Sequence, residues 1–447
     1  MKSILLVLLA VFLATPVTAG DWPTWRGPTM DGLAGQADLP TTWDRKKNVR
    51  WRLELPGPAA STPVIEGDRL FLTTTVEGEP ALRVMAISTS GKVLWSDEPD
   101  AGTLEVFERF ASETSLASPS PALGDGRLYV LFGTGQLLAY STTKTREVLW
   151  QRDLKAVYGE PRLYFGLSSS PLFHEGRLYL QLIHGGRQAV VAVDAATGED
   201  LWAIERETDA KKECLHAYTS PLLFGRGASA KLVIHAADYT TAHRLDNGQE
   251  IWRHGGLNPP ESYNPSLRLV ATPVASGDWL IAPSAKRGPV YALKPRAAKG
   301  PLTGTDKAAW KLERGTPDVP SPLVYDGLVY LASENGRLSV YELATGEMLY
   351  EERVHQSTHR ASPVAVDGKI LLTATDGTVS VVRAGRSYEL LAKNELGERL
   401  AASPAVAGQT LYLRSYKSLW AIGSAPGPAE AASQSSEPSD SKLPKSR

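Results

Sequence analysis

The sequence predicts an all-β protein, an eight-bladed β-propeller of four-stranded antiparallel blades. Three observations support it: a recurring Ser-Pro or Thr-Pro dipeptide, a turn that ends in tryptophan near the close of most repeats, and two chain ends that complement each other. Successive prolines of the dipeptide lie 41 to 58 residues apart, which is the period of a propeller blade. The dipeptides are Thr62-Pro63, Ser120-Pro121, Ser170-Pro171, Ser220-Pro221, Thr272-Pro273, Ser321-Pro322, Ser362-Pro363 and Ser403-Pro404.

Each repeat has the pattern of four short strands, and residues 169–202 show it most clearly. Four apolar or alternating segments are separated by turns that contain glycine, which is typical of a β-meander. Pro171 stands at the beginning of the first segment, where a strand needs no ladder donor. The segments are residues 169–173, 177–182, 189–193 and 199–202.

The eighth repeat has three strands before residue 423, and a matching fourth strand occurs at the other end of the chain. Residues 48–56 resemble the end of a blade and carry Trp51, yet they precede the first dipeptide. We therefore expect this N-terminal strand to complete the last blade and close the ring, which would protect the sheet edges of an open array.

An aromatic residue ends the outer strand of most repeats. A large flat ring at a fixed position can pack on the adjoining blade, and burying each one contributes a few kcal/mol. We predict this docking role for Trp51, Trp95, Trp150, Trp202, Trp252, Trp310 and Tyr350.

The two ends of the chain differ in composition from the repeats. Lys2, an apolar run and the small residues 17–19 predict a signal peptide at residues 1–19. We assign residues 20–47 to an extension packed on the propeller, 48–423 to the propeller and 424–447 to a disordered tail. Insertions at 97–113 and 294–307 are predicted surface loops. The expected product is a soluble periplasmic or secreted protein without a transmembrane segment.

Composition excludes several classes of function. Lys and Arg number 48 and Asp and Glu 49, and such a balance does not suit nucleic-acid binding. Cys214 is the single cysteine, so no internal disulfide can form.

His355 and His359 are four residues apart in a strand and loop pattern, which does not favour a metal site. His184 and His254 precede glycine pairs at turns, where we expect them to be exposed.

The mouth of the central channel is the predicted binding site, because the loops that enter each inner strand meet there. Several cations at these positions would suit an anionic ligand or an acidic segment of a partner. The alternative is a solvated rim of local ion pairs. The candidate residues are Arg109, Glu113, Tyr164, His216, Tyr218, Arg268, Asp318, His359, Arg360 and Arg399.

Residues 192–202, Ala-Val-Asp-Ala-Ala-Thr-Gly-Glu-Asp-Leu-Trp, resemble the repeat of the quinoprotein propellers. Asp21-Trp-Pro, Asn48-Val49 and Trp51 resemble the entry segment of the same family. The resemblance covers residues 21–423. The family includes dehydrogenases that use pyrroloquinoline quinone (PQQ) and the non-catalytic outer-membrane assembly factor BamB.

A resemblance to the enzymes of that family would imply bound PQQ, a calcium ion held by Glu and Asn side chains, and an Asp that acts as a base. In the alcohol dehydrogenases it would also imply a vicinal disulfide. No segment reproduces these motifs, so we assign no catalytic, cofactor-binding or metal residues. We predict a monomeric, BamB-like scaffold that binds envelope or secreted proteins. A PQQ-dependent dehydrogenase of alcohols or sugars is the alternative; a weaker one is polysaccharide or small-anion binding at the channel.

Overall fold

The computed structural model describes residues 20–103 and 115–424. Eight antiparallel sheets follow one another along the chain, and the prediction of an eight-bladed propeller is confirmed. The predicted signal peptide and residues 425–447 of the predicted tail lie outside the described residues. In the described part the one α-helix, Leu154–Tyr158, has five residues, and no helix there is long and apolar enough to cross a membrane.

Every blade is a meander in which consecutive strands pair. The strands of blades 1 to 4 are, in order, Val64–Glu66, Arg69–Val76, Glu79–Ser88 and Val93–Asp97; Ala122–Gly124, Arg127–Leu131, Gln136–Ser141 and Val148–Asp153; Leu172–His174, Arg177–His184, Arg187–Asp194 and Asp200–Glu205; Leu222–Phe224, Lys231–Ala236, Tyr239–His243 and Glu250–His254.

Blades 5 to 8 repeat this arrangement. Their strands are Val274–Ser276, Trp279–Pro283, Val290–Leu293 and Ala308–Leu312; Leu323–Tyr325, Leu328–Ala332, Arg337–Glu342 and Met348–Arg353; Val364–Val366, Lys369–Thr373, Thr378–Arg383 and Leu390–Glu395; Ala405–Ala407, Thr410–Arg414, Ser418–Ile422 and the N-terminal Val49–Glu54. Short 3₁₀ helices occur at Lys212–Leu215, Gly227–Ser229 and Pro260–Ser262.

The strand Val49–Glu54 is the fourth strand of blade 8. It runs antiparallel to Ser418–Ile422, with Arg52 opposite Trp420 and Leu53 opposite Leu419. Buried residues of blades 1, 7 and 8 form one hydrophobic cluster together with Trp22 and Trp43 of the N-terminal segment. The two ends of the chain therefore share one core.

Four indoles dock on the next blade in the same way. Each indole N–H donates to a backbone carbonyl there, as Trp202 does to Leu245 at 3.1 Å. Each ring also lies against a glycine with positive φ, such as Gly248 (φ +74°), where a Cβ would come within 2.7 Å of the Trp202 ring. The other three pairs are Trp51 with Gly91, Trp150 with Gly198, and Trp310 with Gly346.

Three aromatic positions contact the next blade without that hydrogen bond. Trp95 stacks on Tyr140, with ring centroids 5.6 Å apart. Tyr350 lies 6.0 Å from Tyr388. Trp252 is completely buried and packs in a cluster with residues of the 294–307 insertion. That insertion, expected as a loop, contributes the short strand Gly300–Pro301, which pairs parallel to the outer strand of blade 4.

Candidate functional site

The open end of the channel forms a cavity of about 460 Å³. Because the first strand of each blade leads away from this end and the second returns to it, the loops between blades and the turns between second and third strands both reach the cavity. It is lined by Ala60, Ser115, Ser118, Phe165, Ser168, Tyr218, Leu267, Arg268, Val270, Lys286, Asp318, Val319, Glu334, Arg360, Ala401 and Tyr416.

Below the cavity, the hydroxyls of the eight Ser/Thr-Pro dipeptides form a ring, which we call the hydroxyl girdle. The backbone N–H of each member donates to the hydroxyl of the next blade at 2.9–3.0 Å in seven links, Thr62 to Ser120 through Ser362 to Ser403. The link that closes the ring is reversed, since the Thr62 hydroxyl donates to the Ser403 carbonyl at 3.3 Å. The recurring serine thus has a structural role that the sequence did not reveal.

The N-terminal segment lies at the other end of the channel. Trp22 pairs with Ile65 of blade 1, and Trp25 lines the channel. The fully buried Arg26 donates to the carbonyls of Pro322 at 2.8 Å and Pro363 at 3.2 Å, the residues that follow two girdle serines. Burial lowers the Arg26 pKa to about 10, with Asp31 acting in the opposite direction. The N-terminal segment therefore lies across the end of the channel opposite the mouth.

Ion pairs connect the charged side chains at the mouth. The Lys286 ammonium lies 3.1 Å from Asp318 and 3.2 Å from Glu334, and both carboxylates favour the charged form of Lys286 and raise its pKa. Arg268 pairs with Glu213 at 3.0 Å, and Arg360 lies 3.9 Å from Glu334. Each of these contacts joins loops of different blades.

Aromatic rings complete the wall beside these charges. Arg268 lies over the ring of Phe165 at 5.5 Å, and Arg399 lies over Tyr416 at 4.9 Å. Phe165 in turn meets Tyr218 edge to face at 5.6 Å. Burial raises the pKa of Tyr218, so this phenol is neutral at physiological pH.

The cavity brings together four of the predicted site residues: Tyr218, Arg268, Asp318 and Arg360. Arg399 lies next to the cavity through Tyr416, and Tyr164 packs edge to face on the buried His216 at 4.8 Å, behind the lining. His359 is also buried, and its Nδ1 lies 3.0 Å from the Ser357 carbonyl. Arg109 and Glu113 lie outside the described residues.

Sequence reasoning missed Lys286, Glu334 and Tyr416, which all lie on turns between second and third strands. The prediction counted only the loops that enter each first strand. The antiparallel order of the strands was the available signal, because it places both kinds of connection at the same end of a blade.

The expectation that His184 and His254 are exposed was wrong. His184 and His254 are 2 % and 1 % exposed, because neighbouring loops and blades cover their turns. His254 packs edge to face on Tyr291 of blade 5 at 4.5 Å. The rings of His355 and His359 lie 6.4 Å apart, closer than a regular strand would place them, and His355 contacts Asp376 at 2.7 Å. The described residues contain no group of three or more His, Cys, Asp or Glu that could hold a metal ion.

The sequence profile of the family described as "Outer membrane protein assembly factor BamB" matches residues 34–112, 82–301, 144–385 and 240–439. The chain belongs to this family. BamB of Yersinia pestis is 25 % identical over 227 residues, which are 46 % of this chain and 52 % of that protein. A polyvinylalcohol dehydrogenase of Sphingopyxis sp. is 26 % identical over 211 residues, 42 % of this chain and 29 % of the enzyme. The matches thus span about half or less of these relatives' lengths.

The solved structure of BamB from Moraxella catarrhalis has the same fold. It superimposes with a TM-score of 0.57 and 14 % identity, covering 83 % of this chain and 96 % of that one. BamB-like propellers and dehydrogenases both occur among the relatives. Whether a quinone and its calcium ion fit this chain therefore depends on the residues at the mouth.

These residues do not fit a PQQ–calcium centre. The cavity is large enough for a quinone, and three cations could face its carboxylates. Calcium, however, needs six to eight oxygen ligands, and the two described carboxylates that line the cavity, Asp318 and Glu334, both hold the Lys286 ammonium. Among the described residues, the Lys286 charge therefore occupies the two carboxylates that a calcium ion in this cavity would need.

Proposed function

We propose that this protein is a non-catalytic binding or scaffold protein of the cell envelope, whose protein partner docks on the open mouth of the channel. The pairing of Lys286 with Asp318 and Glu334 carries this proposal, since it leaves neither of these carboxylates free to act as a base or a calcium ligand. A binding surface has no need of either.

The residue types at the mouth also suit protein docking. Tyrosine, phenylalanine and arginine are enriched in the core of protein interfaces, and tyrosine and arginine dominate the binding energy. Here Tyr218, Phe165, Tyr416, Arg268 and Arg399 lie around one concave surface. Arg399 is already held over Tyr416, so little side-chain entropy would be lost when a partner covers it.

Family membership indicates the class of partner. BamB is by name an assembly factor for outer membrane proteins, and we infer that the partner here is an envelope protein of that kind. Export of the protein remains a prediction, made from residues 1–19. A monomeric state also remains a prediction, made from the sequence as a whole.

Site-specific photo-cross-linking in the native host tests the docking surface. We expect a cross-linking amino acid at Tyr416 to capture a discrete envelope protein, whereas one at Trp279, on the opposite face, captures none. Arg399→Glu should weaken capture from position 416 at least tenfold. Lys294→Glu, which lies beside Trp279, is the matched control and should have no effect.

Two results would contradict the proposal. Equal capture from both faces would show that the mouth is not the docking surface. Saturable, calcium-dependent binding of PQQ to the folded wild-type protein, measured by quenching of tryptophan fluorescence, would instead support the dehydrogenase alternative.

A further inference from the structure

The hydroxyl girdle has hydrogen-bond donors that no protein group accepts among the described residues. A serine or threonine hydroxyl has one proton to donate and two lone pairs that accept. Seven girdle hydroxyls use a lone pair to accept the N–H of the preceding blade, as Ser170 accepts from Ser120 at 3.0 Å. Within the part of the chain that the structure describes, there is no acceptor for the protons of these seven hydroxyls.

Among the described residues, the direction left open to these protons is toward the channel. The seven residues are 3–7 % exposed, and that exposure is to the channel lumen, which they line. A buried donor without an acceptor costs about 1–3 kcal/mol. The ring therefore creates a requirement for an acceptor on the channel axis, with several donors converging on it from different blades.

The charges around the lumen favour a negative acceptor. No Asp or Glu occurs among the described residues that line the channel, whereas Arg360 lines its upper part. Beneath the girdle, Arg26 is fully buried and contacts carbonyls, with no described carboxylate in hydrogen-bond contact. A buried charge that is hydrogen-bonded only to neutral carbonyls remains costly, and an anion in the lumen would add to the favourable Coulombic effect of Asp31 on Arg26.

The size of the lumen restricts the ligand. The channel holds about 140 Å³, and a water molecule in the liquid occupies about 30 Å³. A halide and a few waters fit this space, and Trp25 lines its far end. A doubly charged anion would lose more solvation than neutral hydroxyls can replace.

We propose that the channel of this propeller is a binding site for a small monovalent anion of the halide class, held by the hydroxyl girdle between Arg26 and Arg360. The site lies beneath the docking surface and shares Ser168 and Arg360 with the lining of the mouth cavity, but it does not depend on the protein having a partner. The anion would also connect the inner strands of several blades at the axis of the ring.

A matched pair of substitutions at Ser168 tests this proposal. Ser168 lines the channel above the girdle, and its hydroxyl has no hydrogen bond to another described residue, so a change there breaks no girdle contact. Ser168→Asp adds a negative charge to the lumen, whereas Ser168→Asn adds a neutral group of the same shape. We expect chloride affinity, measured from ³⁵Cl NMR line broadening with bromide competition, to fall at least tenfold for Asp and less than threefold for Asn.

Crystals of the protein grown in bromide locate the ion. An anomalous peak inside the girdle is expected for the wild type and for Ser168→Asn, and a strongly reduced one for Ser168→Asp. Ordered water alone in the wild-type channel, with no anomalous peak, would overturn the proposal. Equal chloride affinities for the two variants would overturn it as well, and neither result would bear on partner docking.

Discussion

At the scale of single residues, the mouth of the channel is defined by one lysine between two carboxylates. Asp318 comes from the loop between blades 5 and 6, and Glu334 from a turn within blade 6. The Lys286 ammonium lies within 3.2 Å of both, so the two carboxylates also lie close to each other. The positive charge of Lys286 stabilises this arrangement. Removal of the lysine would leave two like charges in one cavity.

Lys286→Met should therefore create a weak calcium site. Methionine keeps much of the length of the side chain but leaves Asp318 without its cation and Glu334 with only Arg360 at 3.9 Å, and paired carboxylates are good calcium ligands. We expect isothermal titration to detect calcium binding by this variant and none by the wild type at the same concentrations. Lys294→Met, on the opposite face, should behave as the wild type; calcium binding by the wild type would contradict the assignment of Lys286.

At the scale of elements, each blade is held to the next by two contacts at different radii. Near the axis, a backbone N–H meets the hydroxyl of the next blade. Near the periphery, an indole lies on a glycine and donates to a carbonyl of the next blade, as Trp202 does with Gly248 and Leu245. The glycine is needed because a side chain would collide with the ring and because its φ is positive.

Gly248→Ala should lower the free energy of unfolding by several kcal/mol. Alanine at positive φ is less stable than glycine by about 1 kcal/mol. It would also displace the Trp202 ring, because its Cβ would come within 2.7 Å of that ring. Gly67→Ala is the matched control, since Gly67 also has positive φ (+57°) but nothing within 4 Å. Chemical denaturation should show a loss at least about 1 kcal/mol larger for Gly248→Ala, and equal losses would show that docking tolerates displacement of the indole.

At the scale of the whole molecule, six histidines of the described residues are buried within or between blades, and burial lowers the pKa of each. Burial lowers the pKa of His184, His243 and His254 to about 4 and that of His235 to about 3. In the unfolded chain each would have a pKa near 6.5. Between pH 6.5 and pH 4 the unfolded chain therefore binds protons that the folded protein does not, and acid favours unfolding.

Stability should accordingly decrease as the pH falls below about 6.5. Each histidine whose folded pKa is about 3 or 4 lowers the free energy of unfolding at pH 5 by about 2 kcal/mol relative to pH 7.5. Asp238 opposes the trend, because burial raises its pKa to about 6 and its folded form binds a proton in this range, but it is one group against six. His254→Phe, which keeps a ring against Tyr291, should reduce the loss of stability between pH 7.5 and pH 5 by about 2 kcal/mol. Denaturation curves with an unchanged loss would show that His254 is not a neutral, buried group.

The sequence by itself determined the number of blades, the four-stranded meander and the aromatic positions at the blade interfaces. Each of these is written in a local pattern: a dipeptide period, alternating strands and a turn that ends in tryptophan. It also placed Tyr218, Arg268, Asp318 and Arg360 at the mouth, because a loop that enters an inner strand must reach that end.

Only the tertiary structure decided which groups meet. Arg26 contacts the Pro363 carbonyl across 337 residues of chain, and Lys286 meets Glu334 from another blade. The girdle serines were visible as a repeat, yet their unaccepted protons become apparent only when eight blades form a ring around one axis. Local patterns specify strands and turns, whereas ring closure, burial and the charges of facing loops depend on contacts between distant parts of the chain.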